Sequence, residues 1–208
     1  MKILRVGKIG KEKPAVIDNN GKIRDLSSIV SDFTPDTLNF ETINKIKDKN
    51  ISNLPELSSH DRIGACVSKP SKFIGIGLNF KDHAKEQNLS IPTEPIIFSK
   101  FTNCVSGPND NIIIPKNSYH TDWEVELGFV IGKKALYVDE ENALDYVLGF
   151  FLVNDVSERN FQKNKGLTWD KGKGFDTFGP IGPYIVTKDE VSDPQNLKMW
   201  LDVNGKRV

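Results

Sequence analysis

HTDWEVELGFVIG, residues 120–132, alternates in steps of two. Side chains two apart along a strand point to the same face. Glu124, Glu126 and Gly128 therefore share one side, and Trp123, Val125, Leu127, Phe129 and Ile131 share the other. The apolar side is expected to be the core side. The opposite side then carries two carboxylates with Cα atoms roughly 6.5–7 Å apart, beside a glycine that leaves room. Two such side chains can converge on one cation. On this stretch alone, an exposed strand face is the slightly better reading.

Working outward, the same texture fills the chain from Lys72 onward. FIGIG, EPIIFSKF, NIIIP, GFFLVNDV, GPYIVT and LKMWLDV are short β-branched or aromatic runs separated by Gly, Pro, Asn and Asp. Many short strands with turn punctuation indicate a mainly β domain, a distorted roll, barrel or sandwich. One helix is expected among them, in DEENALDYV, with Asp139 as N-cap and acids in the first turn.

Residues 1–68 read as a small α+β module and linker. KILRVGKIG and KPAVID suggest short strands, NNGKI a turn, and Phe40, Ile43 and Ile46 a short amphipathic helix. Residues 69–208 form the expected second domain. At its end, LDVNGKRV runs a strand into Asn204-Gly205, a favoured two-residue hairpin turn. The returning strand is cut at Val208, so the sequence is expected to be a fragment that ends inside this domain.

The totals narrow the class. The 208 residues carry 28 basic and 28 acidic side chains, so no net field points to nucleic acid or an anionic membrane. The longest apolar runs are too short to span a bilayer, and the opening residues have no signal-peptide core. Cys66 and Cys104 make neither a disulfide framework nor a metal-type pair. These features describe a soluble cytoplasmic protein.

A third acid changes the weight of the Glu124–Glu126 pair. LGFFLVNDVSERNFQ reads as a strand ending in Asp155, and an acid at the end of a buried strand needs a partner or a metal. Three carboxylates without Cys or His companions suit Mg²⁺ or Mn²⁺ before Zn²⁺. An ion pair between Asp155 and Arg159 is the competing reading, and composition does not decide between them. His83 and Glu86, three apart in KDHAKEQ, share a face if that segment is helical. A carboxylate that fixes an imidazole tautomer prepares a general base, although the same pair also fits an exposed surface helix. Lys173, in the Gly-rich DKGKGFD, reads as a solvated loop lysine.

Four blocks in this order resemble the fumarylacetoacetate hydrolase family: FIGIGLNFKDHAKE, TDWEVELGFVIG, NDVSERNFQ and WDKGKGFDTFGPIGPYIVT. The similarity covers roughly Ser71 to Val208, with a weaker match of the N-terminal module. It is nearest to short bacterial members described as ureidoglycolate lyases or 2,4-diketo-3-deoxy sugar acid hydrolases. The resemblance implies a distorted β-roll catalytic domain, a homodimer, and a divalent metal, Mg²⁺ or Mn²⁺, on Glu124, Glu126 and Asp155. It implies that His83 with Glu86 sits on a segment that orders over substrate. It also matches the family's Arg, Gln and Lys to Arg159, Gln162 and Lys173, with Gly174 standing where the family has Ser. A Thr-rich substrate loop that family members carry further on is absent from these residues.

The chemistry so implied is metal-dependent C–C cleavage in a 2-oxo, or 2,4-dioxo, acid. Charge that develops on the 2-oxo oxygen is stabilised by the ion, with Lys173 and Gln162 assisting and His83 taking a proton from water. The ureidoglycolate lyase reaction ranks second, with oxaloacetate decarboxylation or 2-oxo acid isomerisation third. A non-catalytic metal-binding or dimerisation module is the non-enzyme alternative.

Overall fold

The computed structural model of the chain describes residues 1–166 and 168–208. In chain order its elements are β1 (Lys2–Val6), β2 (Lys13–Ile17), β3 (Ile23–Asp25), α1 (Phe40–Lys47), β4 (Ile74–Gly77), α2 (Lys81–Glu86), β5 (Ile96–Ser99) and β6 (Val105–Ser106). They continue with β7 (Thr121–Asp122), β8 (Val125–Ile131), β9 (Val147–Asn154), β10 (Ser157–Glu158), α3 (Arg159–Asn164), α4 (Asp170–Lys173), β11 (Gly179–Thr187), β12 (Asp202–Val203) and β13 (Lys206–Arg207).

The main sheet runs β3-β2-β1-β11-β9-β8, with β6 added parallel to β11. The fold is mostly β, as expected, but the sheet is open, with β3 and β8 at its ends rather than closed into a barrel. β1 pairs with both β2 and β11. One core follows from that pairing: Ile3, Val16, Phe33 and Ile46 pack in the same cluster as Leu148, Val153 and Ile185.

Local chemistry explains the elements around it. Asp18 accepts from the backbone N–H groups of Asn20 and Lys22 at 2.9 Å each, and Gly21 takes a positive φ of 78°. The NNGK turn thereby hands β2 to β3. Asn39 caps α1 by accepting from Thr42 N–H at 2.9 Å, and α1 buries Ile43 and Ile46 as its spacing predicts. Each buried isoleucine contributes about 1.5–3 kcal/mol, and Asn39→Ala would cost about 1 kcal/mol. DEENALDYV differs from expectation: Glu140–Tyr146 is a 3₁₀ helix, and the Asp139 side chain makes no cap. At the other end, Asn204 and Gly205 adopt φ of 51° and 77°, and β12 pairs with β13 across them, as the primed two-residue turn requires.

The orientation of β8 corrects the first expectation. Gly128 stands opposite Phe151 and Glu126 opposite Val153, and a Cβ at Gly128 would collide with both of those side chains. Phe151 and Val153 belong to the core, so the face bearing the glutamates is the covered one. The apolar face is the outer one: Phe129 is 53% exposed, Ile131 48% and Leu152 54%. Alternation sorts residues into two faces without saying which face the rest of the chain covers.

A charged network ties the first strands to the later loops. Glu12 bridges Arg5 and Arg62 at 3.3 and 2.8 Å, Asp32 holds Arg5 at 2.6 Å, and Asp110 holds Arg62 at 2.5 Å. Burial raises the Asp32 carboxyl, but its bonds from Arg5 and Ser68 outweigh that and lower it. The Arg62 bond is the main cause that lowers Asp110. Carboxylates depressed below their ordinary 3.8 add stability that is present above that pH and is lost as pH falls through their lowered values. Melting followed by circular dichroism should therefore drop below about pH 4. Arg62→Met should make that acid loss shallower; an unchanged profile would place the acid sensitivity elsewhere.

Candidate functional site

The three expected acids come together beneath the covered face of β8, and two of them share one cation. Lys173 Nζ donates to Glu124 Oε2 and to Asp155 Oδ2, both at 2.7 Å. Lys173 is 2% exposed, which overturns its reading as a solvated loop lysine. α4 brings it there because Trp169, just before the helix, packs over Gly77, where a Cβ would clash with the indole. Trp169 and Phe98 lie 5.6 Å apart, and the Lys173 ammonium sits 5.0 Å over the Phe98 ring, a cation–π contact.

Asp155 does not pair with Arg159. Its other oxygen, Oδ1, accepts from Lys100 Nζ at 2.6 Å. Burial pushes the Asp155 carboxyl up, but Lys100 and Lys173 together hold it below the usual range. Arg159 instead binds Glu124 Oε1 at 2.5 Å and Asp122 Oδ2 at 2.7 Å. Burial works against its charge, and those two carboxylates more than offset the penalty, so its pKa is raised. Gln162, also buried, accepts from the same guanidinium at 3.1 Å. Its amide oxygen and the guanidinium thus satisfy each other.

Glu126 is the exception. Among the described residues its side chain has one hydrogen bond, from Asn79 Nδ2 to Oε2 at 3.2 Å. Burial, then the like charges of Glu124 and Asp155, push its carboxyl up to about 7, against the pull of Asn79 and Lys173. Among the described residues, the cluster thus holds one carboxylate with no basic group in hydrogen-bond or ion-pair contact.

The residues bear on a divalent ion in two ways. Among the described residues no three His, Cys, Asp or Glu side chains are drawn into one coordination shell. The donor set nevertheless fits a hard cation: three carboxylates close together, two already bridged by the Lys173 ammonium, and the third in no ion pair among the described residues. Glu124, Glu126 and Asp155 would hold such an ion.

His83 stands apart. α2 forms where expected, yet His83 Nδ1 lies 3.6 Å from Glu86 Oε2, beyond hydrogen-bond length, and Nε2 meets Gln87 Nε2 at 2.7 Å. Among the described residues no hydrogen bond or ion pair joins His83 to the carboxylates; Asn79, two residues ahead of α2, makes the link to Glu126. An open cleft of about 800 Å³ is lined by Phe73, Ile74, Ile97, Phe98, Lys100, Phe101 and Asp170, of which Phe98 and Lys100 also touch the Lys173–Asp155 pair.

Sequence reasoning missed Lys100 and Asn79. For Lys100 a signal existed: in EPIIFSKF the step of two places it on the face of Phe98, which is buried. Asn79 had no signal beyond its place at the end of β4.

The family model described as fumarylacetoacetate (FAA) hydrolase C-terminal matches residues 72–208. A Burkholderia ambifaria protein is 56% identical over 207 residues, an alignment that covers 100% of this chain and 73% of that protein. Among solved structures, a fumarylacetoacetate hydrolase from Exiguobacterium antarcticum is 31% identical with a TM-score of 0.80, covering 100% of this chain and 73% of that one. A 5-carboxymethyl-2-hydroxymuconate delta-isomerase from Mycobacterium smegmatis is 28% identical with a TM-score of 0.74, at the same coverage. Among the described residues no helix is long and apolar enough to cross a membrane. The chain belongs to the fumarylacetoacetate hydrolase family.

Proposed function

We propose that this chain is a divalent-metal-dependent enzyme that cleaves a C–C bond beside a carbonyl in a 2,4-dioxo acid, an acylpyruvate-type hydrolase. The observation that carries the reading is the acid cluster: Glu124, Glu126 and Asp155 on one covered face, with Glu126 short of positive charge. When bound, Mg²⁺ or Mn²⁺ supplies Lewis-acid stabilisation for charge that develops on the substrate's 2-oxo oxygen. Lys173, fixed between two carboxylates, adds a second positive charge beside that oxygen. Arg159 and Gln162 brace Glu124 from the other side and frame the substrate's carboxylate end.

His83 takes a proton from water, with Glu86 and Gln87 flanking its two ring nitrogens. The water oxygen adds to the distal carbonyl, the C–C bond breaks towards the 2-oxo half, and C3 of that half takes a proton. The products are pyruvate or a substituted pyruvate and a second carboxylic acid. α2 must approach the carboxylates for this, and Asn79, two residues ahead of it, already hydrogen-bonds Glu126. Isomerisation of an unsaturated 2-oxo acid is the second reading, favoured by the similarity to the M. smegmatis isomerase. The proposal includes a homodimer, for which Trp123, Phe129, Ile131 and Leu152 offer an exposed apolar stripe; sedimentation of wild type against Phe129→Lys checks it.

The test is turnover of acylpyruvates by purified protein with and without Mn²⁺. His83→Ala should keep Mn²⁺ binding and lose roughly 10²–10⁴-fold in rate, the usual worth of a general base. A rate unchanged by His83→Ala would remove the base assignment, and absence of metal-dependent turnover would remove the proposal.

A further inference from the structure

Lys100 follows the last residue of β5, and it is 2% exposed. Burial of an ammonium is costly unless it is paired, so its partners define its purpose. An ammonium has three protons. Those of Lys100 meet Asp155 Oδ1 at 2.6 Å, the Lys173 carbonyl at 2.6 Å and the Val156 carbonyl at 3.4 Å. None is left to donate to a ligand.

These bonds close a ring. Asp155 Oδ2 accepts from the Lys173 ammonium at 2.7 Å, while the Lys173 carbonyl accepts from Lys100. Lys100 thus holds Lys173 twice, by its backbone directly and by its ammonium through Asp155. α4 needs such support, because four residues form a single turn that is unstable alone. Its other anchors secure the start of the helix or its backbone: Asp170 accepts from Ser99 N–H at 2.9 Å, Trp169 packs on Gly77, and Phe101 packs against Gly174. Among the described residues, Lys100 grips both the helix end and Asp155, one of the two carboxylates that aim the Lys173 side chain.

We propose that Lys100 is a positioning residue that fixes the Lys173 ammonium against Asp155 without touching substrate itself. The consequence for turnover rests on the acylpyruvate reading; the placement of the ammonium does not. The test uses protein labelled with ¹⁵N-lysine, in which buried, hydrogen-bonded NH₃⁺ groups exchange slowly enough to give Nζ signals. Wild type should show protected signals for Lys100 and Lys173, the latter identified by its loss in Lys173→Met. Lys100→Met should lose both signals, since Lys173 is no longer held. If Lys100 only fills space, Lys100→Met will lose its own signal and keep that of Lys173, and the proposal falls. Lys100→Leu, which likewise has no donor, serves if the methionine variant does not fold, with the same two outcomes.

Turnover gives the second readout. Folded Lys100→Met should lose roughly 100-fold in kcat with little change in KM, the scale of a misplaced group, and Lys100→Ala should regain rate with added ethylammonium. Wild-type kcat in folded Lys100→Met overturns the proposal. An inactive wild type whose Lys173 signal still depends on Lys100 refutes the acylpyruvate reading and supports the positioning role.

Discussion

Lys173→Met is expected to abolish turnover and to lower the unfolding free energy at neutral pH by roughly 3 kcal/mol, the lower end for breaking a buried ion pair. The lower end applies because neither acid is left wholly alone: Asp155 keeps Lys100 and Glu124 keeps Arg159. What disappears is the charge between Glu124 Oε2 and Asp155 Oδ2, each 2.7 Å from the ammonium. The two oxygens then face each other across an apolar side chain. For a chain of this size the loss corresponds to a melting temperature lower by about 6–12 °C. Lys173→Arg should not restore turnover, because a planar guanidinium does not reproduce a compact point charge in a pocket with 2% exposure. A stable, active Lys173→Met would show that the bridge is incidental.

The second large effect concerns Glu126. Mn²⁺ at about 100 times its dissociation constant should stabilise the wild type by about 2.7 kcal/mol, since a ligand that binds only the folded state adds RT ln(1 + [L]/Kd). Thermal unfolding with and without Mn²⁺ reads this directly, as a rise of about 5–10 °C. Glu126→Ala should erase the Mn²⁺-dependent rise and the turnover together. Without metal, the same variant should melt close to wild type, because among the described residues the carboxylate it removes has the Asn79 amide as its one hydrogen-bond partner. A Glu126→Ala protein that keeps the full Mn²⁺ shift would place the ion elsewhere. A variant that unfolds without metal would make Glu126 a structural residue.

How much of this was legible in the sequence depended on whether a residue's partners were close in the chain. α1 was legible because its cap and its apolar spacing are local, Asn39 with Thr42 and Ile43 with Ile46. The hairpin at Asn204-Gly205 was legible because φ preference is a property of those two residues. The face of β8 was not, because whether glutamates or aromatics point inward depends on what covers the sheet. Gly128 held a clue, since its missing side chain makes space for Phe151 and Val153. The three acids could be named from their positions, but their partners could not. Asp155 meets Lys100 across 55 residues and Lys173 across 18, while Arg159, four positions from Asp155, turns to Glu124 and Asp122 instead. Local sequence distance suggested the wrong partner, and β-sheet topology selected the right ones.

That topology also explains why the cluster is built from so many short pieces. Glu124 immediately precedes β8 and Asp155 immediately follows β9, antiparallel neighbours whose Val125 and Asn154 pair in register. The Glu124 carbonyl accepts from Asp155 N–H at 2.9 Å, so the backbone ladder itself sets the two acids side by side. Glu158, fully buried, caps α3 by accepting from Phe161 N–H at 2.6 Å and draws in His120 N–H at 3.1 Å. It thereby fixes the strand end from which Arg159 reaches Glu124.

The most direct measurement is the anomalous scattering of Mn²⁺ in crystals of the protein soaked with that ion alone. The account predicts one peak per chain, within coordination distance of carboxylate oxygens of Glu124, Glu126 and Asp155. A peak at other residues, or none at a concentration that raises the melting temperature, would contradict it.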